Sequence, residues 1–319
     1  MSTTKFKILI MSTIVTENTE DNSETLKRWA PLREGLVFSE FISNWKEDEY
    51  GVDEKLVQKV SDESAEILSK CVDPKNTSEK KVSTGLVIGQ VQSGKTLSMT
   101  AVSSMAKDNG YGVVIVMSGN ISSLSGQTAD RFEKALEGRN TIKIKNNPEE
   151  EKWSLENNLI NAKTVLENFK EIDDPDDRTT LLIITHKNPA RIDNIIELFE
   201  NIGEIKNKIP TLIIDDEADH HSLNSKEFLN EIDSLTERRK RNLKEVYQIS
   251  HGDTLESIAD KFNTTEEEIK EINNFESLPS VGTYILTEYI QTVTHSSIKS
   301  LRSNFFTHTY LGYTATSQA

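Results

Sequence analysis

The chain has 319 residues, of which 35% are hydrophobic and 28% charged, and its formal net charge is −15. That length suits one large or two ordinary domains, and the acidic balance excludes a generally basic nucleic-acid coat while leaving room for a local basic groove. The single cysteine, Cys71, excludes an internal disulfide and fits a reducing compartment, so a cytoplasmic location is expected.

Near the start, Lys5 and Lys7 precede the apolar stretch Ile8–Val15. It is short, broken by Ser12 and Thr13, and runs into the acidic Glu17–Glu24 segment without a small-x-small cleavage site, which argues against a secretory signal. No apolar run reaches the roughly 18–20 residues that a bilayer span needs, so no membrane partner is expected. Val52, Leu56, Val57, Val60, Ile67 and Leu68 recur at helical spacing, which makes residues 1–80 a helical region packed on the domain C-terminal to it.

Gly85-Leu-Val-Ile-Gly89 reads as a buried strand, and residues from Thr96 onward read as a helix. Between them stands Gly89-Gln-Val-Gln-Ser-Gly-Lys-Thr96, a complete phosphate-binding loop in its strand–loop–helix context. Gly89 and Gly94 let consecutive N–H groups face one centre, with Gln92 and Ser93 in the curl, and the helix adds its positive end. Lys95 then reaches the β- and γ-phosphates, and Thr96 offers a hydroxyl to Mg²⁺. ATP and Mg²⁺ are the cofactors expected.

Further strands are expected at Val113–Gly119 and Leu181–Thr185, whereas residues 146–180 read as acidic and polar with a turn at Asp173–Asp177. Leu212–Ile214 forms another buried strand, followed by Asp215-Asp-Glu-Ala-Asp219 at the strand end where parallel sheets bind ligands. Asp216 is assigned to the metal and Glu217 to activation of the attacking water; Asp215 is an alternative metal group that sequence does not separate from Asp216. His220 and His221 lack a second ligand pair at metal spacing and read as local polar contacts. The basic run Glu237–Lys244 is a solvated helix face or a phosphate clamp.

Asp216-Glu-Ala-Asp219 with Tyr313-Thr-Ala-Thr316 resembles motifs of superfamily-two helicases, in which the second segment ends a core strand, here Tyr310–Thr314. The resemblance implies a coupling of Thr314 and Thr316 to Asp219. Adding Ser118-Gly-Asn120, Gln127-Thr128, Arg131 and Lys187-Asn-Pro-Ala-Arg191 makes residues 80–246 and 290–319 similar to the Z1 domain, an endonuclease-associated or helicase-like ATPase family. It implies an α/β, RecA-like P-loop fold with a mainly parallel sheet and flanking helices, spanning 81–246 and 288–319. It also implies a nucleic-acid partner, DNA above all, with Gln127, Thr128, Arg131, Lys187 and Arg191 facing or coupled to the backbone, and a role in foreign-DNA defence. Motors of this kind use a second RecA-like lobe to supply an arginine finger; none follows before Ala319, so slow hydrolysis by this chain alone is expected.

Residues 247–287 have another character. Asp253 and Thr254 are placed to cap a helix carrying Leu255, Ile258, Ala259 and Phe262 on one face. Thr265 with Glu268 forms a capping box for a second helix, and Gly282 relaxes the turn into a last strand. This β-α-α-β segment resembles the LysM module, which implies an N-acetylglucosamine-containing glycan in a groove between Gly252, Asp253, Thr254 and Leu255 on one side and Ser277 to Ser280 on the other. The segment holds eight acidic and two basic residues, which disfavours a phosphate backbone as its ligand. A compact recognition or spacer module is the plainer reading, and glycan binding is the alternative function for the whole chain. A nuclease reading on Asp176 and Glu204-Ile-Lys206 fails for want of a convincing strand.

Overall fold

The computed structural model of the chain describes residues 29–48, 51–77, 79–88, 94–118, 132, 141–146, 153–172, 174, 177–218, 246–273, 275–287 and 293–314. Eight strands lie among them: β1 (Lys81–Ile88), β2 (Val113–Ser118), β3 (Thr141–Asn146), β4 (Thr180–His186), β5 (Thr211–Asp216), β6 (Val246–Gln248), β7 (Tyr284–Leu286) and β8 (Thr307–Thr314). The helices are α1 (Leu36–Asp48), α2 (Glu54–Ser69), α3 (Lys95–Asp108), α4 (Leu155–Glu171), α5 (Pro189–Ile202), α6 (Leu255–Phe262), α7 (Glu266–Asn273) and α8 (Val293–Ser303). The chain divides into two units, one of Met1–Lys187, Asn194–Asp219 and Asn304–Ala319, the other of Asn188–Asp193 and His220–Ser303.

The first unit is an α/β sheet of six parallel strands in the order β1-β8-β5-β2-β4-β3. Strands β2, β4 and β5 are near-continuous apolar runs because both faces of a parallel sheet are covered. Val114, Val116, Leu182, Ile184, Leu212, Ile214, Leu311 and Tyr313 share one core with Phe38, Trp45, Leu68, Met99 and Met105. The N-terminal helices α1 and α2 are therefore part of the sheet's own core. Helix α3 is buried from Ser98 to Asp108. It tolerates this because Ser103 and Ser104 are satisfied within the helix, Ser103 donating to the Met99 carbonyl at 2.8 Å and Ser104 to that of Thr100 at 3.0 Å, while Ser98 pairs with the Tyr313 hydroxyl. At its end the buried Asp108 accepts the Val37 and Phe38 N–H groups at 3.0 and 2.8 Å, capping α1 from a different helix. Gly35 lies so close to this carboxylate that a Cβ would stand 2.2 Å from it.

The expected strands are all present, most of them longer than the apolar runs alone indicate. Two elements lie where the sequence gives little apolar signal. Strand β3 carries Ile142 and Ile144 in alternation with lysines, the pattern of a charged edge strand. Helix α4 is capped by Ser154, and its buried Ala162, Val165, Leu166 and Phe169 are spread among polar residues.

In the second unit β6 and β7 pair antiparallel, with Tyr247 opposite Ile285, and α6 and α7 lie between them in sequence. Ile249, Ile258, Ala259, Ile269 and Ile285 form its small core, with Tyr247, Leu255, Phe262, Phe275 and Leu278 against it. Thr254 caps α6 in a reciprocal box with Ser257, and α7 starts with the expected Thr265–Glu268 box. Asn273 pairs with both backbone groups of Leu286, accepting its N–H at 2.7 Å and donating to its carbonyl at 2.8 Å, so a buried side chain extends the sheet's hydrogen bonding.

Candidate functional sites

Strand β5 ends in a turn that β8 holds in place. Glu217 has φ +60, a left-handed conformation that non-glycine residues adopt rarely and mostly where the surroundings impose it. The Ala218 N–H donates to the Tyr313 carbonyl at 2.9 Å. Gly312 leaves the room this needs, since a Cβ there would stand 2.9 Å from that of Ala218. The acidic motif and the Gly-Tyr-Thr segment are thus joined through the backbone.

Asp216 faces Lys95, the first residue of α3, with 3.2 Å between the ammonium and Oδ1; both side chains are less than one-fifth exposed. The approach is off the hydrogen-bonding direction, and Oδ1 is buried with no hydrogen-bond partner among the described residues. We read the contact as electrostatic, with one oxygen left orphaned. Gly94 occupies the cap of α3 without a side-chain hydrogen bond, and the first turn contains no acidic residue. A cation at a helix N-terminus is unfavourable unless an anion joins it.

Asp215, which shared the metal assignment, points elsewhere. Its Oδ1 accepts from Lys187 at 2.7 Å, and its Oδ2 accepts the Tyr310 hydroxyl. Burial pushes this carboxyl above its usual range, against the pull of Lys187. The structure therefore separates the two aspartates by environment. Lys187 itself requires a correction. It is expected to face nucleic acid or to couple to it, and burial speaks against the first: its side chain is 2% exposed, and its ammonium donates to Asp215, to the Asp216 carbonyl at 2.8 Å and to the Glu217 carbonyl at 2.7 Å. All three of its N–H groups are engaged inside the unit.

Thr96 is half-buried in the first turn of α3, Thr314 is buried at the end of β8, and Arg191 is half-buried in the first turn of α5. Gly89, Gln92, Ser93, Gln127, Thr128, Arg131, Asp176, Asp219, His220, His221, Thr316 and the basic run 237–244 lie outside the described residues. Glu204 sits in a 3₁₀ turn, Gly203–Lys208. Among the described residues no three His, Cys, Asp or Glu side chains cluster to hold a metal ion. A Mg²⁺ here would depend on Asp216, Thr96 and phosphate oxygens, which is how that ion is ordinarily held.

In the second unit, Gly252 has φ +94 with open space where a Cβ would be, and Thr254 is exposed while Leu255 is half-buried. The loops before α6 and before β7 meet through Ile249, whose N–H donates to Thr283 at 2.9 Å and whose carbonyl accepts from Gly282 at 2.8 Å. Ser277 and Ser280 are exposed on the second loop, and so is Val281 at 57%, an apolar surface beside small polar groups. Asp253 does not cap α6 as expected. It accepts the Ser250 N–H at 2.7 Å and the Tyr247 hydroxyl at 2.8 Å, which hold its carboxyl below the usual range.

The LysM domain family matches residues 247–280, which take in β6 from Tyr247, α6 and α7 and stop short of β7. No curated protein matches the chain. The protein is an α/β protein whose six-stranded parallel sheet is consistent with the Rossmann/RecA-like class, and it carries a LysM domain. The family comparison gives no support to the Z1 resemblance, to a helicase-like motor or to a nucleic-acid partner. No helix among the described residues is long and apolar enough to cross a membrane.

Proposed function

We propose that the chain combines a glycan-recognition module with a separate nucleotide site. The LysM match over residues 247–280 supports the first part and favours it over a nucleic-acid role. LysM modules usually take N-acetylglucosamine-containing glycans in a shallow groove between two loops. Here the loops bearing Gly252–Leu255 and Ser277–Ser280 would form that groove, using main-chain groups, small hydroxyls and the exposed Val281. Calorimetric titration of the whole chain with N-acetylglucosamine oligomers tests it. Saturable heat that grows with oligomer length is expected, and no binding at millimolar oligomer sinks the reading.

The α/β unit, in this proposal, binds a magnesium nucleoside triphosphate. The observation that carries it is the Lys95–Asp216 approach at 3.2 Å with the Asp216 oxygen left unsatisfied. A buried carboxylate oxygen that accepts no hydrogen bond is costly even beside an ammonium, and a metal ion or its water would satisfy it. Bound Mg²⁺ supplies neutralisation of charge on the transferring phosphoryl group. Lys95 and the N-terminus of α3 bind and orient the phosphates. Asp216 and Thr96 hold the ion, and Glu217 orients a water for attack. Titrating ATP into wild type and Lys95→Ala, with Mg²⁺ and with EDTA, tests this directly. Affinity should fall on the order of 100-fold in the variant, and equal affinities would remove the nucleotide reading. The Z1 resemblance adds DNA as a partner; DNA-stimulated ATP hydrolysis is its expected outcome, and an unchanged rate discards it.

A further inference from the structure

The buried Lys187 has no part in the phosphate chemistry above, yet its partners surround that site. Its backbone is fixed at the end of β2, where its N–H donates to the Ser118 carbonyl at 2.8 Å. Its ammonium meets one carboxylate and two consecutive carbonyls, at 2.7, 2.8 and 2.7 Å. An ammonium has three N–H donors and no acceptor, so this set exhausts it. Two successive carbonyls can turn toward one point only if the chain curls between them, and Glu217 stands in the left-handed region. The charge balance is equally restrictive. Lys187 neutralises Asp215, whose other oxygen is held by Tyr310, and this leaves Asp216 as the carboxylate that faces Lys95.

We propose that Lys187 is the positioning residue of the acidic turn, binding the Asp216 and Glu217 carbonyls so that the two side chains project from a fixed backbone toward the metal and the water. The proposal rests on the nucleotide reading of this site. Lys187 touches neither phosphate nor ion; it acts through the turn. A purely structural ion pair would behave differently. Replacing a buried pair by apolar residues of similar volume is often neutral for stability, so a Lys187→Met, Asp215→Leu double variant separates packing from positioning.

The experiment compares wild type, Lys95→Ala and the double variant by thermal unfolding and by calorimetric titration of ATP with Mg²⁺ or EDTA. Failure of wild type to bind ATP, or indifference to Lys95→Ala, removes the nucleotide reading and this inference with it. With binding established, the double variant should stay folded, melting below wild type because the Tyr310 hydroxyl and the Asp216 and Glu217 carbonyls lose their partners, and keep its EDTA affinity within about twofold. Its Mg²⁺-dependent gain in affinity should drop about 10–100-fold, the usual effect of losing a group that orients a metal ligand. A folded double variant with the full Mg²⁺ gain overturns the inference. Should the double variant fail to fold, Lys187→Arg decides: the charge is kept, but a planar fork does not converge on one point. A reduced Mg²⁺ gain supports positioning, and an unchanged gain refutes it.

Discussion

Asp215 in the α/β unit and Asp253 in the LysM unit each accept a hydrogen bond from a tyrosine hydroxyl, from Tyr310 and Tyr247 respectively, yet they titrate in opposite directions. Asp215 is 1% exposed, and desolvation raises its pKa even with a lysine at 2.7 Å. Asp253 is only half-buried, and there two donors outweigh a smaller desolvation and lower it. The number of hydrogen bonds does not set the sign; access to water does. The same contrast runs through both units. The larger one buries its polar groups in closed networks, whereas the smaller one uses exposed caps around a core of a few aliphatic residues.

The largest expected effect comes from breaking the buried network on one side only. Lys187→Met alone strands the Asp215 charge and should cost about 3–5 kcal/mol, measured by denaturant unfolding of the α/β unit. Gly312→Val should follow, at about 1–3 kcal/mol, because its side chain must displace Ala218; a variant with wild-type stability and Mg²⁺-ATP affinity would show that the turn tolerates movement. In the LysM unit, Asn273→Ala leaves the Leu286 backbone unpaired and should cost about 1–3 kcal/mol, seen as earlier melting of that unit with ATP binding unchanged. Thr254→Ala removes only an exposed cap and should cost about 1 kcal/mol.

Acid gives the smallest and most direct test of the comparison. Asp253 and Glu268 both titrate lower folded than unfolded. Their contribution is therefore complete above the ordinary carboxylate range of about 4 and is lost as pH falls through the folded values. Asp215, raised in the fold, works in the opposite sense, since protonation relieves its burial. NMR-monitored acid titration should show the LysM unit losing stability first on these groups, and Tyr247→Phe should move the Asp253 midpoint upward.

Much of the architecture is legible in the residue order because it is local. Helix caps at Thr254 and Thr265 act over three residues, and the apolar runs of β2, β4 and β5 announce themselves. The convergence of Lys95 and Asp216 follows from their places after strands that share a sheet. What escapes is long-range and lateral. Lys187 follows β4 and reaches across the end of β2 to β5, a neighbour relation that strand order alone reveals. As a lysine after a strand it reads as a surface cation. Strand β3 and helix α4 escape for a different reason, since an edge strand and a one-sided helix need few apolar residues.

Strand β8 lies between β1 and β5, although it is the last strand of the sheet to be synthesised. Until residues 307–314 leave the ribosome, β1 and β5 each expose an unpaired edge at what will become the interior of the sheet. The LysM segment, whose pairings are all short-range, has by then the means to close on itself. A chain released before Thr307 should accordingly contain a folded small unit and an open, aggregation-prone half-sheet.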